Sequence, residues 1–137
     1  MADNQGMSTA TIGTGEARQV LARFFGGRGE VIAAYRLPDA HRHPSAGPPP
    51  VDLAVLFHPL VDQGRYDEFR LVIAEGLAVE LNRPDVRVVV LNDASPHLAY
   101  DVLRRSDALY AGPDDLVAEF GARVQTDFLR SVHDRIR

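Results

Sequence analysis

Few residues of this chain could do chemistry, and the most telling is Asp52, the one acid in the apolar run Val51-Asp52-Leu53-Ala54-Val55-Leu56-Phe57. Seven residues with β-branched and aromatic members, preceded by Pro48-Pro49-Pro50 and followed by His58-Pro59, read as a buried strand. A carboxylate is costly in such a strand. Asp52 therefore either stands at the strand end, within reach of water or a partner, or points into a site that uses negative charge. His41-Arg42-His43 is the nearest approach to a metal pair, but no third ligand accompanies it, so both histidines read as solvated loop residues. Gly26-Gly27-Arg28-Gly29 invites comparison with a phosphate loop. Such a loop follows a strand and opens a helix, whereas this one follows a helix and opens a strand, so it reads as a turn. With no cysteine there is no disulfide, thiolate metal site or cysteine nucleophile.

The elements that must position these residues follow from periodicity. Met1 to Gly15 has no apolar pattern and reads as a disordered tail, with Met7 an alternative start; residues 16–137 form the single folded domain. A helix over Glu16 to Phe25 carries Val20, Leu21, Phe24 and Phe25, and a first strand runs from Val31 to Tyr35. Leu37 to Pro50 is proline-rich and irregular. After the Asp52 strand, Gly64-Arg65 leads into a helix with Tyr66, Phe69, Ile73, Leu77 and Leu81 on one face, stopped at Asn82 and Pro84. Val86 to Leu91 is a third strand, apolar except for Arg87. Ser95 caps a helix with Pro96 in its first position, carrying Leu98, Val102 and Leu103 to about Arg105. Ala108-Leu109-Tyr110 is a brief strand. The last helix opens with Asp114 and Asp115, ends with Arg130, Arg135 and Arg137, and has the stripe Leu116, Val117, Phe120, Val124, Phe128, Val132 and Ile136. The order implies a small α/β (α+β) domain, and the direct link between the first two strands implies a mixed sheet flanked by helices.

Composition narrows the function. A chain of 137 residues with 45% hydrophobic and 25% charged residues has the proportions of one globular domain, and its net charge of -4 gives no reason to expect direct nucleic-acid binding. No apolar run approaches the roughly 20 residues that span a bilayer, and no signal-peptide pattern opens the chain, so the expected location is cytoplasmic.

From Val31 onward the chain resembles the small MNT-type (minimal) nucleotidyltransferases, the antitoxins of HEPN/MNT toxin–antitoxin modules within the polymerase-β-like nucleotidyltransferase superfamily. The resemblance rests on two stretches. One is Val51-Asp52-Leu53-Ala54-Val55-Leu56, which looks like the strand ending the family's Asp-x-Asp motif; the other runs from Arg83-Pro84 through Val88-Val89-Val90-Leu91-Asn92, Ala94, Pro96, Leu98, Val102-Leu103 and Leu109-Tyr110 into the last helix. It implies a nucleotidyltransferase-like fold and a helical HEPN-type partner. The departures are as informative. Pro38-Asp39 falls where the family has a Gly-Ser pair that holds phosphate, Pro50 replaces the first acid, and Arg87 stands at the third.

In the superfamily those acids hold the metals that bridge nucleotide phosphates. A guanidinium about 4 Å from a metal position costs several kcal/mol even with surface screening. The expected function is therefore a catalytically inactive antitoxin-like partner of a HEPN-type ribonuclease, without a cofactor. The alternative is an active transferase using magnesium and ATP to add AMP to a protein partner, with Asp52 as metal ligand and Asp39 or Asp62 recruited. Strand parity and the resemblance together place Asp52 and Arg87 on one face, where a direct ion pair is expected to replace the metal. Tyr100, Arg104 and Arg105 are the candidate partner-binding residues, since aromatic and Arg side chains favour interfaces, although each alone also reads as part of a solvated face. Oligomeric state is not legible.

Overall fold

The computed structural model describes residues 15–38 and 51–136. Gly15, expected to end the tail, is the first residue of a helix, while the rest of the expected tail, the His41-Arg42-His43 pair and Asp39 lie outside them. Helix α1 (Gly15–Gly26) leads to β1 (Val31–Arg36), then β2 (Val51–Phe57), a 3-10 turn (Gln63–Arg65) and α2 (Tyr66–Leu81). Strand β3 (Val86–Val90), helix α3 (Pro96–Arg105), β4 (Ala108–Ala111) and α4 (Asp114–Ile136) complete the chain. No helix among the described residues is long and apolar enough to cross a membrane.

The local signals act as their chemistry requires. The Ser95 side chain accepts a hydrogen bond from the Leu98 amide at 3.2 Å, satisfying a donor that the first turn of α3 leaves open. Asn82 takes the left-handed conformation at φ 55°, and the Asn82 and Arg83 amides donate back into the last turn of α2, which ends the helix. The glycine-rich stretch after α1 is a turn: the Arg28 amide donates to the Phe25 carbonyl at 3.0 Å and the Val31 amide to the Arg28 carbonyl at 3.2 Å. Gly76 matters for a different reason. A Cβ there would stand 2.9 Å from the Phe24 ring, so the missing side chain lets α1 lie close against α2.

The sheet order is β3-β2-β1-β4, with β1 antiparallel to both β2 and β4 and β2 parallel to β3. The sheet is thus mixed, as the direct link between the first two strands implied. Alternation along the strands makes two apolar layers. Leu53, Val55 and Phe57 of β2 pack with Leu21 and Phe25 of α1 and Ile73 and Leu77 of α2. Ala54 and Leu56 face the other way, toward Ala99 and Val102 of α3 and Phe120 and Val124 of α4. The alternation breaks in β1 where it pairs with β2. Val31 pairs with Phe57 but Ala33 with Leu56, so β1 carries a bulge, and Ile32 and Ala33 both join the α3/α4 layer.

The long helix bears out most of its expected stripe. Phe120 and Val124 are buried and Leu116 and Val117 pack against the same layer, while Phe128 and Val132 are half-buried nearer the end. The side chain of Ile136 lies outside the described residues.

Candidate functional site

The site is built where β2 begins. Asp52 is the second residue of that strand and the one buried charged side chain among the described residues, 2% exposed. Its backbone is fixed from both sides: the Leu37 amide donates to the Asp52 carbonyl at 3.1 Å, and the Val51 amide donates to the Asp85 carbonyl at 2.9 Å. Asp85 is in turn gripped by Arg83, whose Nε and Nη2 donate to the two carboxylate oxygens at 2.9 and 2.5 Å. That hydrogen-bonded guanidinium holds the Asp85 carboxyl below its ordinary range. The Asp52 Oδ1 is buried without a hydrogen bond from the described residues, although the residue as a whole is engaged.

Register brings Arg87 beside Asp52, because the two are Cα partners across the parallel β2/β3 pair and therefore share a face. The expected direct ion pair, however, is not formed between them. Arg87 is exposed while Asp52 is buried. The physical reason is solvation: a guanidinium on a long stem keeps its hydration by reaching outward, whereas following Asp52 inward would strip it of water. Replacing Arg87 by Ala should therefore change the unfolding free energy by no more than about 0.5 kcal/mol in urea titrations, the range of an exposed substitution. A loss of about 3–5 kcal/mol would instead signal a broken buried pair.

The described residues alone do not supply a divalent-metal site. Among the described residues no group of three or more His, Cys, Asp or Glu side chains converges, and the in-register neighbour of the buried acid is a cation. Asp62, the acid considered as a replacement, follows β2 at its far end. About 16 Å of strand separates Asp52 from Phe57 at the usual rise per residue, and Asp62 follows that far end of β2, just before the 3-10 turn.

The three candidate partner residues fall on α3. Tyr100 lies flat against Phe128 of α4, with ring centroids 3.9 Å apart and planes 4° apart. His97 also stacks with Phe128, their ring centroids 6.3 Å apart. Arg104 sits 5.8 Å from the Tyr100 ring centre and donates a long hydrogen bond of 3.4 Å to its hydroxyl. Arg105 is exposed and pairs with Asp101 at 3.4 Å. Tyr100 and Arg104 are thus brought together into one strip of aromatic rings and guanidinium, and Arg105 borders it. Sequence reading missed the role of Phe128 in this strip, placing it only in a core stripe.

It also missed Asn92, which it named only within the second family-like stretch. The Asn92 amide oxygen accepts from the Phe57 amide at 2.8 Å, and its nitrogen donates to the Phe57 carbonyl at 3.0 Å. With the Leu91 amide donating to Val55 at 2.8 Å, this closes the end of the β2/β3 pair opposite Asp52. A carboxamide directly after a strand is the one signal that could have found it.

No family model and no curated protein sequence matches the chain. Solved structures do. A chain of the MntA–HpeT toxin–antitoxin complex, in a double Asp-to-Glu variant, matches with TM-score 0.65 and 18% identity over 86% of this chain and 91% of that one. A chain of a toxin–antitoxin structure with AMP-PNP gives 0.62 and 20% over 86% and 91%. A chain of the tri-AMPylated Shewanella oneidensis HEPN toxin in complex with MNT antitoxin gives 0.61 and 19% over 86% and 88%. The chain therefore has the nucleotidyltransferase-like fold that its resemblance implied.

Proposed function

We propose that this chain is an MNT-type antitoxin that has lost nucleotidyl transfer and restrains a helical HEPN-type ribonuclease by direct contact. One observation carries the proposal: in a fold shared with chains of MNT–HEPN complexes, the buried acid Asp52 has Arg87 as its in-register neighbour where catalysis would need another carboxylate. The position in register with Asp52 offers no second carboxylate, so a divalent cation at Asp52 would lack the acidic ligand that the strand could otherwise supply.

Without transfer chemistry, restraint must come from contact. The strip formed by Tyr100, Arg104 and Phe128, bordered by Arg105, supplies rigid aromatic area and a guanidinium donor, the groups that dominate interface energetics. The second reading, AMP transfer to a partner, is favoured by the AMPylated toxin in a structurally similar complex. It requires acids from outside the described residues, Asp39 foremost, to join Asp52.

The test is to combine the chain with the HEPN-type protein encoded by a neighbouring gene and follow cleavage of RNA. A stable complex and suppressed cleavage are expected with magnesium and nucleotide absent. Tyr100→Ala and Arg104→Ala, checked for folding by circular dichroism, should each weaken the complex by about 1–3 kcal/mol. A complex unchanged by both would remove this surface, and cleavage that proceeds undiminished in the mixture would remove the function.

A further inference from the structure

Helix α2 has a second face that the fold leaves uncovered. Three of the five exposed large hydrophobic side chains among the described residues lie on this one helix: Leu71 (53% exposed), Val72 (44%) and Val79 (80%). They point away from Ile73 and Leu77, which fill the core. Glu68, Val72, Glu75 and Val79 are exposed and follow one another in alternating steps of four, three and four residues, with Leu71 alongside. That is the heptad period of a seam that receives another helix, and it runs along the side opposite the core stripe.

Charge states what the seam accepts. Glu68 is already held by Arg65, whose Nε and Nη2 donate to its two oxygens at 3.1 and 3.3 Å. Glu75, between Val72 and Val79, has no ion-pair partner among the described residues. A second copy packed antiparallel on this seam would pair Val72 with Val79 of that copy but would set Glu75 against Glu75 of that copy. Two like charges at the centre of a desolvated contact are strongly unfavourable. A partner helix with a Lys or Arg at the centre and apolar residues a turn to either side satisfies every group of the seam.

We infer that the outer face of α2 docks an amphipathic helix of the HEPN-type partner, with apolar residues against Leu71, Val72 and Val79 and a basic side chain against Glu75. This rests on the reading that such a partner exists, and it names a contact separate from the Tyr100 strip, because α2 and α3 cover opposite faces of the sheet. The partner thus grips the domain from both sides of the sheet, through two of its elements or two of its copies.

The experiment measures binding of the full chain to the neighbouring HEPN-type protein. Val79→Glu and Glu75→Lys both change exposed helical positions and leave the core intact, which circular dichroism and thermal melting verify. Each should weaken the complex by about tenfold or more. The Glu75→Lys loss should shrink in high salt, as a charge contact does, while the Val79→Glu loss should persist in part. Folded variants that bind within about twofold of the unaltered chain would overturn the docking surface while leaving the partnership standing. Absence of a complex with the unaltered chain would overturn the partnership itself. A dimer of the chain alone in sedimentation, dissolved by Val79→Glu, would also overturn the inference by assigning the seam to a second copy.

Discussion

Phe57→Ala should cost this domain about 3–5 kcal/mol and lower its melting temperature by roughly 10–15 °C. Phe57 is 1% exposed at the end of β2 and sits among three layers of contact: the Tyr66 ring at 5.4 Å, the Phe69 ring at 5.8 Å, and the aliphatic core of α1 and α2. Truncation removes the transfer free energy of the ring and leaves a cavity that two strands and a helix cannot close. Its backbone is pinned to Asn92 and paired with Val31, so collapse around the gap is resisted. The cost is a large part of the roughly 5–15 kcal/mol that holds an ordinary domain together. Chemical denaturation should show the loss at unchanged slope. A cost below about 1 kcal/mol would mean that this end of the sheet is far more compliant than its contacts indicate.

Asn92→Asp should be the most damaging conservative change on the surface of the sheet. The carboxamide uses both ends on one residue, accepting from the Phe57 amide and donating to the Phe57 carbonyl. A carboxylate keeps the first bond and turns the second into oxygen facing oxygen. The expected loss at neutral pH is about 2–3 kcal/mol, since a half-buried acceptor loses its donor and gains a repulsion. The sign with pH follows from linkage. The facing carbonyl raises the folded-state pKa of the new carboxyl above its unfolded value, so the penalty is present above that pKa and shrinks as pH falls and the proton can donate to Phe57. Asn92→Ala, which merely deletes both bonds, should show no such recovery. Urea titrations of the two variants from pH 7 down to about pH 4 distinguish these behaviours.

Much of this was legible in the order of residues. Strand periods at Val31, Val51 and Val86, the Ser95-Pro96 cap and the Asn82 stop gave elements that the structure reproduces within a residue or two, because each depends on local chemistry. Parity was legible too, and it put Asp52 and Arg87 on one face. Whether the two side chains then pair was not legible. Parity assigns a face, while the reach of a guanidinium depends on where water lies. The bulge at Ile32 was hidden for a similar reason, since register between strands is set by how the layers pack and leaves no mark in the alternation of an all-apolar run. The outer seam of α2 was overlooked because Tyr66, Phe69, Ile73, Leu77 and Leu81 already account for one apolar stripe. Leu71, Val72 and Val79 become informative only when the sheet is known to cover a single side of the helix.

The most direct test of the central claim, that this nucleotidyltransferase-like fold no longer transfers nucleotide, is incubation with labelled ATP, magnesium or manganese, and the neighbouring HEPN-type protein. No AMP label on the partner is the expected result. Label that appears on the partner and vanishes with Asp52→Ala would contradict it.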